Sequence, residues 1–283
     1  MINLSAGLSA TALDAIAGLE RRVVAADGGR LKLEWDALRR RSGRDVEDVL
    51  CWDGERLLGF LGIYLHGAPT IELAGMVDPA ARRRGIGTAL LDAGLRVCEQ
   101  REHAAVLLVV PRTSVAGRAL AQRRGGTLDH SEHALQLLGA PAAVPADPRI
   151  TVRAAGPADQ QAVREILRSA FGSEPTATPA DLADTLVVER DGRPIGTARL
   201  IPEDGGAGIY GFAIHPDQQG RGIGRDVLHR LCQQARAAGA AAVRLEVATD
   251  NDRALNLYTS LGFRPVITED YYALPARRPS ELV

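Results

Sequence analysis

The residues best suited to chemistry fall in two short turns. Gln219-Gly220-Arg221-Gly222-Ile223-Gly224 lies between an apolar strand-like run and a helix-like run, and Arg82-Arg83-Arg84-Gly85-Ile86-Gly87 lies in the same setting. Glycine in such a turn lets backbone N–H groups converge without Cβ clashes. A helix starting there adds unpaired donors and the positive end of its dipole. Together these make a cradle for a pyrophosphate, to which Arg221 and Arg225 add charge. In a chain with 30 glycines one such hexapeptide means little, since a glycine-capped turn without a ligand reads the same. Two at equivalent points mean much more.

The equivalence is measurable. Gly85 and Gly222 are 137 residues apart, and other features keep that offset. Val77-Asp78-Pro79 lies over Ile214-His215-Pro216, residues 106–110 over 243–247, and Gly125 over Gly262. A constant offset without insertions implies one fold used twice. Residues 140–148, with three prolines among small residues, read as a semi-rigid linker. The expected division is an N-terminal domain over 1–140 and a C-terminal domain over 149–283.

The elements that must position the turns follow from periodicity. In the second copy, 150–155 reads as a strand and 157–171 as a helix with Val163, Ile166, Leu167 and Ala170 on one face. Strands over 186–189 and 195–201 flank Asp191-Gly192, a hairpin signal. Residues 209–214 give a fourth strand. The helix after the turn spans 223–238, with Val227, Leu228, Leu231 and Ala235 as its stripe and Gly239 as its stop. A buried strand over 243–247, a short helix over 253–261 and a last strand over 264–274 complete the copy. The first copy repeats this order from its second strand, while its opening, residues 4–24, reads as helix. The order predicts an α/β fold with helices on both faces of a mixed sheet.

The turn at 219–224, followed by Leu245-Glu246-Val247-Ala248-Thr249-Asp250-Asn251 and by Leu257-Tyr258-Thr259-Ser260-Leu261-Gly262-Phe263, resembles the GNAT superfamily of N-acetyltransferases. The likeness covers about 149–274 in the second copy and 49–137 in the first. It implies two tandem acyl-CoA N-acyltransferase folds, each a mixed, mostly antiparallel central sheet. It also implies acetyl-CoA as co-substrate, lying where the strand before the turn splays from its neighbour. By the same resemblance, backbone groups of Phe212, Ala213 and Ile214 meet the pantetheine arm and acetyl carbonyl. Gln219, Gly220, Arg221, Gly222, Ile223, Gly224 and Arg225 hold the pyrophosphate, Asn251 contacts the cofactor near the splay, and Tyr258 protonates the leaving thiolate. The matching positions in the first copy are Met76, Val77, Arg82, Arg83, Arg84, Gly85, Ile86 and Gly87.

An amine attacks a thioester only when deprotonated, so a base or water path must take its proton, and backbone N–H groups can stabilise the oxyanion. No residue is singled out as the base. Glu246 on the fifth strand reads more readily as a solvent-facing carboxylate than as a base, Glu203 and Asp204 on the loop before the fourth strand are similarly ambiguous, and His215 before proline reads more readily as a turn residue. Tyr210 borders the expected cleft, Tyr271-Tyr272 either line the acceptor pocket or pack the last strand, and Glu72 is a base only if the first copy is active. Tyr258 itself has a packing alternative. The offset maps Asn251 to Ser114, Tyr258 to Ala121 and Phe263 to Gly126. The expectation is therefore a catalytic second copy, with the first either binding acetyl-CoA without turnover or shaping the acceptor site.

Composition excludes several classes. The net charge of -1 and the lack of a basic block argue against a nucleic-acid partner. No apolar stretch is long enough to span a membrane, and residues 1–20 lack a signal-peptide pattern. Cys51, Cys98 and Cys232 are scattered, which suggests no metal site and fits a reducing cytoplasm. The leading expectation is an acetyl-CoA-dependent N-acetyltransferase acting on a small-molecule primary amine. The alternatives are a non-catalytic acetyl-CoA-binding regulator and an enzyme similar in architecture to mycothiol synthase. Its state would be a monomer with pseudo-dimeric halves or a homodimer.

Overall fold

The computed structural model describes residues 1–65, 70–101, 105–172, 182, 184–203 and 205–275. The chain divides into two compact units: one joins Met1–Ser131 to the stretch from Ile267 onward, and the other is Glu132–Val266.

The first unit begins with β1 (Ile2–Ser5), α1 (Ala10–Asp27) and α2 (Trp35–Arg39). The sheet continues through β2 (Asp48–Asp53), β3 (Arg56–Leu65) and β4 (Thr70–Val77); after α3 (Ile86–Cys98) come β5 (Ala105–Pro111), α4 (Val115–Arg123) and β6 (Thr127–Leu137). The opening thus contains a strand before its helix. Ile-Asn-Leu-Ser is too short to announce itself, and it is held by antiparallel pairing from Ile2↔Cys51 to Ser5↔Asp48. Ser9 caps α1 by accepting from the Ala12 N–H, and Gly28, at φ 74°, ends it.

The second unit contains β7 (Ile150–Ala154), α5 (Gln160–Phe171), β8 (Thr185–Arg190), β9 (Arg193–Glu203) and β10 (Gly206–Ile214). It continues with α6 (Ile223–Ala237), β11 (Ala242–Ala248) and α7 (Asp252–Ser260), and β12 (Arg264–Leu274) follows. Asp191 and Gly192 have φ of 51° and 73°, the pair of positive angles that a tight twisted hairpin between β8 and β9 requires. The stripe of α6, Val227, Leu228, Leu231, Cys232 and Ala235, is at most 2% exposed. Each buried leucine there contributes about 2 kcal/mol of apolar burial.

The last strand of each repeat completes the sheet of the other. β12 pairs antiparallel with β5, from Glu269↔Pro111 to Leu274↔Val106, so the first unit reads β1-β2-β3-β4-β5-β12. β6 pairs antiparallel with β11, from Glu132↔Ala248 to Leu137↔Val243, so the second reads β6-β11-β10-β9-β8-β7. The two registers are related by the 137-residue offset, residue for residue. Within each unit the parallel neighbours are the strands joined by a helix crossover, β4 with β5 and β10 with β11.

The β-strand parity of the first unit sorts its core into two faces. Ile71, Leu73, Val106, Leu108, Tyr272 and Leu274 pack with α3. Ala74, Met76, Leu107, Val109 and Tyr271 pack with α1. No described helix is long and apolar enough to cross a membrane.

Candidate active site

In the first unit β4 and β5 stay paired from Thr70↔Ala105 to Ala74↔Val109 and then part. Gly75, Met76 and Val77 form one lip of the opening and Val110 and Pro111 the other, around a cleft of about 660 Å³. The turn over residues 82–87 closes one side of it. Gly85 is the N-cap of α3 at φ 80°, and a Cβ there would meet nothing within 4 Å. Gly85 to Thr88, the first turn of α3, line the cleft, the place where a helix start can hold an anionic group. Arg83, at φ 64°, Ile86 and Gly87 also line the cleft, and Arg84 is exposed.

Arg82 is occupied. Its guanidinium forks onto Asp27 at 2.8 and 2.6 Å, and its Nε donates to the Val77 carbonyl at 3.3 Å. It thereby ties the cleft's lip to the end of α1. Asp78, 2% exposed, anchors the same lip by accepting from Arg22 and Arg56, each at 2.9 Å, and from the Ala80 N–H at 3.0 Å. Burial works to raise the Asp78 carboxyl, but the bonds from Arg56, Ala80 and Arg22 outweigh it and hold the group below its ordinary range.

The second unit keeps the cradle and sets the Phe212 ring beside it. β10 pairs with β11 only from Gly206↔Ala242 to Gly208↔Arg244 before diverging. Gly220 and Gly222 lie at φ 77° and 79°, Gly222 is the N-cap of α6, and Ile223 and Gly224 begin that helix. A Cβ on Gly224 would meet Leu257 at 3.4 Å, Phe212 at 3.8 Å and Ile214 at 3.9 Å. Its counterpart Gly87 has only the equivalents of two of these, Val77 and Leu120. The extra neighbour is the Phe212 ring, and the offset places Gly75 at that position in the first unit. A Cβ on Gly75 would lie 2.7 Å from the Phe60 carbonyl oxygen, so the unbulged β4 admits only glycine there. β10 instead bulges between Tyr210 and Ala213, with Gly211 at φ 54°, and so accommodates Phe212.

Other expected residues have local tasks. Gln219 donates to the Ile214 carbonyl at 2.8 Å and accepts from Arg253 at 2.7 Å, and Arg221 donates to Gln218 at 3.3 Å. Arg225 is exposed and Ala213 buried. Asn251 caps α7 by accepting from the Ala254 N–H at 3.0 Å, as Ser114 caps α4 through the Gly117 N–H at 3.2 Å. Tyr258 is 7% exposed and tilts onto Phe263 with ring centroids 6.1 Å apart. Burial pushes its phenol up to about 12, so it stays protonated at neutral pH. Tyr210 donates to Glu203, which also holds Arg244 at 3.2 Å; Glu246 lies on β11 opposite Ala134, and His215 accepts from the Asp217 N–H at 3.3 Å. Asp204 lies outside the described residues.

On the α1 face of the first unit, behind the parted strands, lies a polar row. Lys32 donates to the Tyr271 hydroxyl and stands 3.8 Å from Glu72. Tyr271 stacks on His130 at 4.1 Å, whereas Tyr272 packs into the α3-side core. Glu269, fully buried, is 3.6 Å from Arg30. A small cavity of about 10 Å³ is bordered by Lys32, Ala74 and Glu269 and shares Leu31, Gly75, Val109 and Pro111 with the large cleft. Sequence reasoning singled out neither Glu269 nor Lys32. The available signal was that Glu132 repeats Glu269 at the 137-residue offset.

The family model for the acetyltransferase (GNAT) family matches twice, over residues 17–125 and 160–263. The chain is 30% identical to a mycothiol acetyltransferase of Mycobacteroides abscessus, across 83% of this chain and 87% of that one. It is 31% identical to a mycothiol acetyltransferase of Clavibacter sepedonicus, across 74% and 75%. Among solved structures it is similar in fold to a GCN5-related N-acetyltransferase from Sphaerobacter thermophilus, with a TM-score of 0.80 at 22% identity over 98% of this chain and 96% of that one. A tandem GNAT protein from the clavulanic acid biosynthesis pathway gives a TM-score of 0.70 at 18% identity over 98% and 99%. With two matched regions, each over a parted pair of parallel strands and a glycine-capped helix, this chain is an acyltransferase and belongs to the GNAT acetyltransferase family.

Proposed function

We propose that the protein transfers an acetyl group from acetyl-CoA to a primary amine of a small molecule by direct attack, with the donor held in the cleft of the first unit. The observation that carries this reading is the 660 Å³ opening between β4 and β5, faced by the bare helix start at Gly85. The residues fit the donor. First-turn amides of α3 meet the pyrophosphate, and Arg83 adds charge. Backbone groups of Gly75, Met76 and Val77, beyond the last β4–β5 pair, meet the pantetheine arm and the carbonyl oxygen, where an N–H stabilises developing negative charge. The lack of a phenol at Ala121 is no obstacle. An ordinary thiol titrates near 8.5, so its thiolate leaves readily near neutral pH and takes its proton from solvent. The mycothiol acetyltransferase relatives make the unacetylated precursor of mycothiol one acceptor to test among other small amines.

A second reading puts turnover in the second unit. It rests on the β10 bulge, which frees backbone groups at Gly211 and Phe212, and on the protonated Tyr258. It requires the Phe212 ring to move aside.

Calorimetric titration of acetyl-CoA into the full chain separates the two, using Gly85→Glu and Gly222→Glu. A carboxylate about 5 Å from a phosphate charge costs about 3 kcal/mol at an effective dielectric near 20. The expected result is loss of binding in Gly85→Glu and near-normal binding in Gly222→Glu. The reverse pattern would assign the donor to the second unit, and a wild-type protein that binds no acetyl-CoA would sink both readings.

A further inference from the structure

We infer that Glu269, brought into the first unit by the last strand of the second repeat, is the carboxylate that receives the ammonium group of the acceptor. The inference rests on the donor lying in the first unit's cleft, and it names the acceptor side of that same site.

Four observations converge on Glu269. The register Glu269↔Pro111 puts it at the end of β5 where β4 has already parted from it, beside the opening rather than deep in the sheet. By strand parity it shares a face with Tyr271 and Met76, the α1 face, opposite the α3 and α4 side where the donor's cradle lies. Donor and acceptor would thus approach the parted strands from opposite faces, which direct attack on a thioester needs. The side chain borders the 10 Å³ cavity that meets the large cleft at Gly75 and Pro111. That volume suits one water, and therefore one ammonium head of similar size.

The chemistry of the cavity is also specific. Glu269 is fully buried, with the partly exposed Arg30 3.6 Å away. A buried carboxylate discriminates strongly in favour of a cation able to donate to it. Lys32 also borders the cavity, where it stands 3.8 Å from Glu72 and donates to the Tyr271 hydroxyl. Glu132 holds the equivalent place on β6, which completes the second unit, so it serves as an internal control.

The test uses the full chain and follows thiol release from acetyl-CoA with glucosamine, L-alanine ethyl ester and spermidine as amine probes. Wild-type protein is compared with Glu269→Gln, Glu269→Asp and Glu132→Gln, with acetyl-CoA affinity measured by calorimetry for each. The expected result is that Glu269→Gln raises KM for the best amine about tenfold or more, the usual scale for losing a charged hydrogen bond. Its acetyl-CoA affinity stays within about twofold, a split that general damage to the fold would not give, Glu269→Asp recovers part of the loss, and Glu132→Gln behaves as wild type. An amine KM in Glu269→Gln within about twofold of wild type overturns the inference while leaving the donor assignment intact. Loss in Glu132→Gln alone overturns both by pointing to the second unit. Absence of thiol release with every amine, in wild-type protein that binds acetyl-CoA, overturns the inference along with the amine-transfer reading.

Discussion

The Phe212 ring beside the second cradle has no counterpart at Gly75, and truncation tests what it does there. Phe212→Ala should open the second unit to acetyl-CoA. The ring is half-buried and packs against the core of its unit through the start of α6. A fully covered phenylalanine buries roughly 200 Å², so half of that at about 25 cal/mol/Å² puts the loss near 2.5 kcal/mol. A domain of ordinary stability tolerates that. The bulge and the two left-handed glycines at 220 and 222 would remain, because neither depends on the ring. Calorimetric titration of acetyl-CoA should then give two sites per chain in place of one, and urea unfolding should report the modest destabilisation. The mirrored change, Gly75→Ala, should remove the wild-type site, since its Cβ would lie 2.7 Å from the Phe60 carbonyl and the lip of the cleft must shift. Two sites in the wild type would refute the claim that the ring blocks the cleft. One site in a folded Phe212→Ala would refute the claim that the second cradle is competent behind it.

Three further outcomes follow from the same geometry. A protease site engineered into 140–148 should yield fragments that stay together in size-exclusion chromatography and still bind acetyl-CoA, because β6 and β12 each complete the sheet of the other repeat; separation without denaturant would contradict the exchange. Asp78→Asn should lower stability by about 2 kcal/mol at pH 7. The wild-type advantage should be present above about pH 4 and vanish on acidification, since the folded carboxyl sits below its unfolded value; a pH-independent difference in urea midpoint would count against this. Burial raises the Tyr258 phenol to about 12, so its contribution is intact below pH 10 and falls by about 1.4 kcal/mol per pH unit from 10 to 12. Tyr258→Phe should unfold with a shallower alkaline slope than wild type, and equal slopes would show the phenol is not buried as described.

What the sequence disclosed, and what it hid, follows from how far each feature reaches along the chain. The two glycine turns, the Asp191-Gly192 hairpin and the stripe of α6 are local: a few neighbouring residues dictate φ, capping and periodicity, so a single sequence exposes them. The strand Ile2–Ser5 is local too, but four residues hold too little pattern to beat the helix beside them. The strand exchange is different in kind. Because β6 and β12 occupy the same place in each repeat, their apolar alternation suits either sheet, and nothing in 264–274 says which β5-like partner it joins. Phe212 shows the same limit at one residue. As a letter in a strand it could lend its backbone to a ligand or its ring to a plug, and the bulge at Gly211 decides which. The exchange then bears directly on the site. A carboxylate written near the C-terminus, Glu269, arrives beside the opening in the N-terminal repeat. The missing tyrosine at Ala121 made the first copy look depleted, yet the unit that forms around its cleft includes eight residues of β12, Ile267 to Leu274, with two tyrosines and two acids among them. In a tandem fold that trades strands, the physical unit that must be complete for chemistry is the sheet, and the sheet draws on both repeats.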